Sequence, residues 1–289
     1  MPIMFSYARK MVEEAERTAQ SGDFVQTLEA LRALPLDDFG EVLISMPTDE
    51  WPALSAILPR MAAEQVQLNW TGATGLPLLR ATNNFVRLMT QTYEHISGRA
   101  VADARVLDFG CGYGRIMRAM YYFSNPEHLH GCDPWDKSIE LCKQAGIVGN
   151  LAISDYLPND LPFEGKFDLI YALSVFTHLS PRATKLCLST LAKNLAPTGV
   201  LAITIRPVEY WDIDPRFNEA ERRDLVVEHT SKGIAFSPHG RAAIDGDITY
   251  GDTSMSFDYL AADEPSLKIT KIERTIDDPY QIIVFMTLR

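Results

Sequence analysis

The chain has 289 residues, 46% apolar and 10% aromatic, enough to bury a full core with a small additional unit beside it. Its 38 acidic and 27 basic residues leave a formal charge of -11, which repels a phosphate backbone and argues against a nucleic-acid partner. The four cysteines, Cys111, Cys132, Cys142 and Cys187, form no CxxC pair and no His/Cys cluster at zinc spacing, so they are expected as reduced thiols.

The amino-terminal "MPIMFSYARKMVEE" turns charged before an apolar run of signal-peptide length develops, and no stretch of ~18 apolar residues occurs. A soluble, cytoplasmic protein without a membrane span is the expectation. Over residues 6–67, "SYARKMVEEAERTAQ", "DFVQTLEALRAL", "DDFGEVLISM" and "TDEWPALSAILPRMAAEQV" carry apolar residues at three-to-four spacing, with Gly, Pro and Asp at the breaks. That pattern predicts three or four short helices. The turn-like "WTGATG" follows, then a longer helical pattern over residues 76–96.

From there strands and helices alternate. "RVLDF", "LHGCD", "NLAIS", "FDLIYAL" and "VLAITI" are short apolar runs suited to strands buried on both faces, and "RIMRAMYYF", "WDKSIELCKQA" and "PRATKLCLSTLAKNL" between them read as helices. The fold class expected is α/β, a doubly wound and mostly parallel sheet. After Pro207 the rhythm breaks: "PRFNEAERRDLVVEHTSKG" reads as a charged helix, and "GIAFSP" and "GDITYG" read as strand-like pieces. "LKITKIERTI" and "QIIVFMTLR", joined through "DDPY", predict an antiparallel carboxyl-terminal hairpin at the sheet edge. The expected division is a helical accessory region over residues 1–70 and a main domain over residues 71–289, with residues 207–262 as a substrate-side insertion.

"VLDFGCGYGRIMRAM" places glycines at 110, 112 and 114, directly after an apolar strand and before a helix. Glycine there lets backbone amides approach a ligand closely. A dinucleotide site would carry GxGxxG, but Arg115 stands where the third glycine belongs, which counts against a nicotinamide-dependent oxidoreductase.

The segment resembles the class I S-adenosylmethionine-dependent methyltransferases, whose first motif is an acid followed by GxGxG; here the match is Asp108, Gly110, Gly112 and Gly114. A second marker, an acid ending the second strand, falls on Asp133 in "LHGCDPW", about 20 residues beyond the loop, where a carboxylate can accept from both ribose hydroxyls. A third, after strand three, falls on "ISDYLP", with Ser154, Asp155 and Tyr156 placed to read the adenine edge. The fourth is "KFDLIYALSVFTHLS", whose end, at Ser174, borders the methionine portion and the acceptor. The resemblance implies a seven-stranded Rossmann-like sheet over residues 100–289 and S-adenosyl-L-methionine as cofactor. "WTGATGLPLLRATNNF", "DFGCGYGR", "SVFTHLS" and "YGDTSMSFDYL" together look like bacterial methyltransferases of surface-glycan and natural-product pathways.

Individual residues carry alternatives. Asp108 is a ligand for the cofactor's ammonium, a cap ordering the loop, or both. Trp135 packs on the adenine face or covers the sheet. Arg115 reaches the cofactor carboxylate or is a solvated helix residue. His178, following strand four at the carboxyl edge, is the candidate general base, against a structural role as a cap. His229 and His239 lie in the insertion, where a surface position is open to either. Trp70, Tyr210, Trp211 and Tyr250 line an acceptor pocket or fill satellite cores. Arg206 binds an acidic acceptor or pairs with a nearby acid. No EF-hand or HExxH spacing occurs, so no metal is expected.

The reaction implied is in-line methyl transfer to oxygen or nitrogen, with a sugar, glycan or small metabolite as acceptor; a non-catalytic cofactor-binding scaffold is the rival. The amino-terminal helices are expected to act as a lid, a homo-oligomer contact or a docking surface for a partner enzyme. Because the motif-bearing sheet begins near Arg105, cofactor binding is expected not to need them.

Overall fold

The computed structural model describes residues 5–289; the first four residues of the segment weighed above for export lie outside the described residues. Five helices come first: α1 (Ser6–Ala19), α2 (Phe24–Leu31), α3 (Leu36–Ser45), α4 (Pro52–Ile57) and α5 (Glu64–Thr71). Asp23 caps α2 by accepting from the Gln26 amide. The single helix expected across residues 48–66 is broken in two. Pro59 lacks an amide proton and ends the first piece; α5 then resumes at Glu64 and runs through Trp70 and Thr71, which had been expected in a turn. A long helix, α6 (Gly75–Ser97), leads to the sheet and stops at Gly98, which adopts a φ of 68°.

The main sheet uses β1 (Val106–Phe109), β2 (Leu129–Asp133), β3 (Asn150–Ile153), β4 (Phe167–Ala172) and β5 (Leu195–Ile205), joined through α7 (Arg115–Met120), α8 (Asp136–Gln144) and α9 (Pro181–Asn194). Next come α10 (Tyr210–Ile213), α11 (Glu219–Lys232), the two-stranded ribbon β6 (Ile234–Pro238) and β7 (Gly251–Met255), then α12 (Phe257–Asp263), β8 (Leu267–Arg274) and β9 (Ile282–Leu288). The seven strands lie in the order β3-β2-β1-β4-β5-β9-β8. The first five are parallel, and β9 runs antiparallel between β5 and β8. The sequence therefore reverses direction between β1 and β4, and the carboxyl edge there is where an open α/β sheet holds its ligand.

Strand composition follows position. All four β1 residues are buried, because helices cover both faces. On the outer strand β8, burial falls on one face only, giving the alternation seen in "LKITKIER". The piece "GDITYG" is not a strand; the strand begins at Gly251 and runs through "GDTSM", all five residues buried. Gly, Asp and Ser are depleted from strands in general, and tertiary pairing overrides that tendency here: β7 pairs with β6, and the Gly251 and Thr253 amides donate to the His178 and Thr177 carbonyls at 2.8 and 2.9 Å.

The hydrophobic core does not divide at residue 70. One continuous cluster joins Val12, Leu28, Phe39 and Leu54 of the amino-terminal helices to Met89, Tyr93, Val106, Leu129, Leu169 and Phe285. A second cluster fills the other face, around Phe109, Ile170, Leu188, Ile203 and Val284. Two arginines reinforce the first contact. Arg118 on α7 donates through Nη2 to the carbonyls of Leu43 and Pro59, at 2.8 and 3.0 Å. Arg32 on α2 donates back to the carbonyls of Tyr121 and Ser124, both at 2.8 Å. Among the described residues no helix is long and apolar enough to cross a membrane.

Candidate functional site

The loop between β1 and α7 bends through three left-handed glycines, with φ of 78° at Gly110, 56° at Gly112 and 79° at Gly114. Side chains at these positions would be strained and would also collide. A Cβ on Gly110 would lie 2.5 Å from Val175 Cγ2, and one on Gly114 would lie 2.9 Å from Ile147 Cγ1. The loop is tied to the end of β2: Gly110 and Cys111 donate their amides to the Cys132 carbonyl at 2.8 and 3.0 Å.

Asp133 completes that tie. Its Oδ2 accepts from the Gly112 amide at 3.0 Å and its Oδ1 from the Trp135 amide at 2.9 Å. Each oxygen keeps a lone pair for a further donor. Burial raises the pKa of this carboxyl, against the two backbone hydrogen bonds that favour its charged form.

Asp108 ends β1 in a drier setting, 2% exposed, beside its register partner Tyr171 on β4. Burial pushes its pKa up to about 8, against opposing influences from Tyr171 and Arg115. Its Oδ2 has no hydrogen-bond partner, nor has the Tyr171 hydroxyl. A buried carboxylate oxygen left unpaired at the mouth of a glycine cradle fits a cationic ligand group, which would supply both charge and donors. Of the two readings of Arg115, the solvated one does not hold: it donates to Thr82 Oγ1 at 2.7 Å, and burial lowers its pKa.

The remaining cofactor candidates are unequally placed. Ser154 is buried at the end of β3, with its amide 3.2 Å from the Asp133 carbonyl and its Oγ unpartnered. Asp155 is exposed, whereas Tyr156 is half-buried. Ser174 adopts a φ of 58° and donates its Oγ to Gln281 at 2.7 Å. Trp135 stacks on Trp70 with ring centres 5.4 Å apart and planes 27° apart.

A second polar group lies just beyond β4 and β5, where the chain runs from Val175, packed on Gly110, to His178. His178 Nδ1 donates to the Gly251 carbonyl at 2.6 Å, and Arg206 Nη2 faces Nε2 at 3.4 Å. With one ring nitrogen donating to a carbonyl and the other facing a guanidinium, the imidazole is neutral. Burial, then Arg206, depresses its pKa to about 4. Tyr250 stacks on His178 with centres 5.0 Å apart, and Arg241 covers the Tyr250 ring at 4.0 Å.

The centre of this group is Asp252, 2% exposed. It accepts from Arg206 Nη1 at 2.8 Å and from His239 Nε2 at 2.8 Å, and pairs with Arg216 at 2.8 Å. Burial opposes its ionisation, but the His239 hydrogen bond and the Arg206 charge outweigh it and its pKa is lowered. His239, one-third exposed (33%), is thus oriented by an ionised carboxylate through one ring nitrogen, and its Nδ1 makes no hydrogen bond among the described residues.

Two open alternatives are resolved. His229 is buried against Ser254, and Trp211, also on Ser254, belongs to a satellite core with Tyr210. Asp252 escaped the sequence reading although its motif, "YGDTSMSFDYL", had been noted, because nothing in the sequence brings residue 252 beside 239 and 206. Among the described residues no group of three or more His, Cys, Asp and Glu side chains is arranged to hold a metal ion.

Residues 106–199 match a family model described as a methyltransferase domain. No curated protein matches the chain. Among solved structures, the chain is similar to DesVI from Streptomyces venezuelae, with a TM-score of 0.50 and 12% identity over 79% of this chain and 99% of that one. The glycopeptide N-methyltransferase MtfA complexed with sinefungin gives a TM-score of 0.48 and 9% identity, over 69% of this chain and 92% of that one. A TehB-like SAM-dependent methyltransferase from Corynebacterium glutamicum gives 0.42 and 16%, over 73% and 99%.

Proposed function

We propose that this chain, a class I S-adenosylmethionine-dependent methyltransferase through its domain over residues 106–199, methylates a hydroxyl oxygen of a sugar or other small polar metabolite. The cofactor supplies, when bound, an electrophilic methyl group on a sulfonium sulfur. Asp108 would hold its ammonium, the loop at residues 110–114 its backbone-contacting portion, and Asp133 its ribose hydroxyls. The unpaired Asp108 oxygen carries the first of these roles.

The observation that favours an oxygen acceptor is the His239–Asp252 pair at the sheet edge. A neutral hydroxyl is a weak nucleophile until its proton is removed, whereas an uncharged amine needs no base to attack. With Nε2 donating to Asp252, the His239 tautomer leaves Nδ1 free to take the hydroxyl proton, and Asp252 would stabilise the imidazolium formed. His178 would instead position the ribbon: it donates to the Gly251 carbonyl and stacks on the Tyr250 ring, which would wall the acceptor side. Aromatic and cationic surfaces such as Tyr250 and Arg241 suit a saccharide or a polar metabolite.

The test is transfer of labelled methyl from S-adenosylmethionine across a panel of nucleotide sugars, free saccharides, phenols and amines, with the product's methylated atom identified. An O-methyl product is expected, with His239→Ala lowering kcat by about 10²–10⁴-fold while cofactor affinity holds. Exclusive N-methylation, or cofactor binding with no transfer to any acceptor, would overturn the reading.

A further inference from the structure

The amino-terminal helices do more than cover the sheet, because α5 delivers an indole to the glycine loop. Trp70 Cζ3 lies 3.2 Å from the position that a Cβ on Gly112 would take, so the ring rests directly on the middle glycine. Its face stacks on Trp135, two residues past Asp133, and its edge meets Tyr113, with ring centres 5.4 and 5.6 Å away. Both indoles remain open to solvent, Trp70 at 36% and Trp135 at 42%.

That exposure is informative. Two stacked indoles present a part-exposed apolar surface beside Asp133 and the glycine loop. An aromatic face next to a carboxylate that can accept hydroxyl donors matches a nucleoside: a flat base for the rings and a sugar for the acid. The position of Trp70 is also held. The Arg60 amide, between α4 and α5, donates to the Ala145 carbonyl at the end of α8 at 2.8 Å, and Arg118 grips the Pro59 carbonyl. Thr71 Oγ1 closes the end of α5 on the Gln67 carbonyl at 2.7 Å.

We propose that Trp70 is a binding residue for the adenosine half of the cofactor, contributed by the amino-terminal region and acting with Trp135 as one aromatic wall. This rests on the glycine loop being the cofactor site. It reverses the expectation that cofactor recognition is independent of the helices before the sheet. It also assigns Trp70 to the cofactor, whereas the sequence left it between an acceptor pocket and a satellite core.

The experiment uses the full chain, with S-adenosylhomocysteine as probe and two readouts that need no acceptor: calorimetric affinity and tryptophan fluorescence. Trp51 and Trp211 are buried elsewhere, so a ligand-induced fluorescence change reports on the Trp70–Trp135 pair. Trp70→Ala should weaken binding about tenfold, with Trp70→Phe recovering most of it. In Trp70→Phe the ligand-induced fluorescence change should shrink to the part that Trp135 contributes. The melting temperature of each apo variant is measured alongside, and because the ring is part-exposed it should stay close to wild type. Trp70→Ala binding with wild-type affinity, or a full fluorescence response in Trp70→Phe, would overturn the proposal. If wild type fails to bind, or Asp133→Ala binds with wild-type affinity, the cofactor site itself is misplaced and the proposal falls with it.

Discussion

His178 illustrates how far a residue's neighbours decide its chemistry. In sequence it is a histidine at the carboxyl edge, the position of an acid–base group; in the structure both ring nitrogens are engaged and burial holds it neutral. The linkage is direct: the unfolded chain takes up a proton near pH 6.5 and the folded chain only near pH 4. The unfolded state therefore binds more protons over that window. Stability tied to neutral His178 is complete above pH 6.5 and is lost as the pH falls towards 4, by on the order of 3 kcal/mol. Asparagine at 178 does not titrate, so the gap in unfolding free energy between wild type and His178→Asn should narrow by that order between pH 7 and pH 4. A gap independent of pH would show that His178 titrates normally, and would return it to candidacy as the base.

At the scale of elements, the strongest dependence runs between α7, which follows the glycine loop, and the helices before the sheet. Arg118 is buried, with its pKa lowered to about 10, and joins two carbonyls from segments far apart in sequence. Removing it strands both carbonyls without donors in a dry interface. Arg118→Ala should cost roughly 3 kcal/mol in urea unfolding, while Arg118→Lys recovers only part, since both carbonyls are reached by the far Nη2 and the lysine ammonium sits on a shorter side chain and is dearer to desolvate. A cost within 0.5 kcal/mol, the range usual for surface positions, would mean that the helices pack on the sheet without this tie. By the same reasoning, deletion of the first 71 residues should yield a protein that fails to fold cooperatively, since it exposes Val106, Leu129 and Leu169 of the shared core.

Elements differ in how legible they were. The β1 strand, the glycine loop and the acids at 108 and 133 are local signals: an apolar run, residues that tolerate positive φ, and a carboxylate at a strand end. They could be read along the chain. The strand at "GDTSM" could not, because small polar residues make a strand only when the partner β6 and the chain beyond β4 accept their hydrogen bonds. Nor could the His239–Asp252 pair or the seating of Trp70 on Gly112. Each joins segments whose proximity is set by packing. The expected helix across Pro59 failed for a local reason: the apolar spacing was followed through a residue that cannot continue it.

Over the whole molecule, two polar centres come to one edge: a dry acid at Asp108 beside the glycine loop, and an ionised acid at Asp252 within the ribbon. The dry acid has a cost in the unliganded protein, because a folded-state pKa of about 8 makes its ionisation unfavourable at neutral pH. A ligand ammonium would reverse that and expel the proton. The most direct measurement is therefore calorimetric titration of S-adenosylhomocysteine at pH 7 in buffers of different protonation enthalpy. Binding should release about half to one proton per site, and Asp108→Asn should bind more weakly and release none. Failure of the wild type to bind, or binding with no proton release and full affinity in Asp108→Asn, would contradict the placement of the cofactor at this loop.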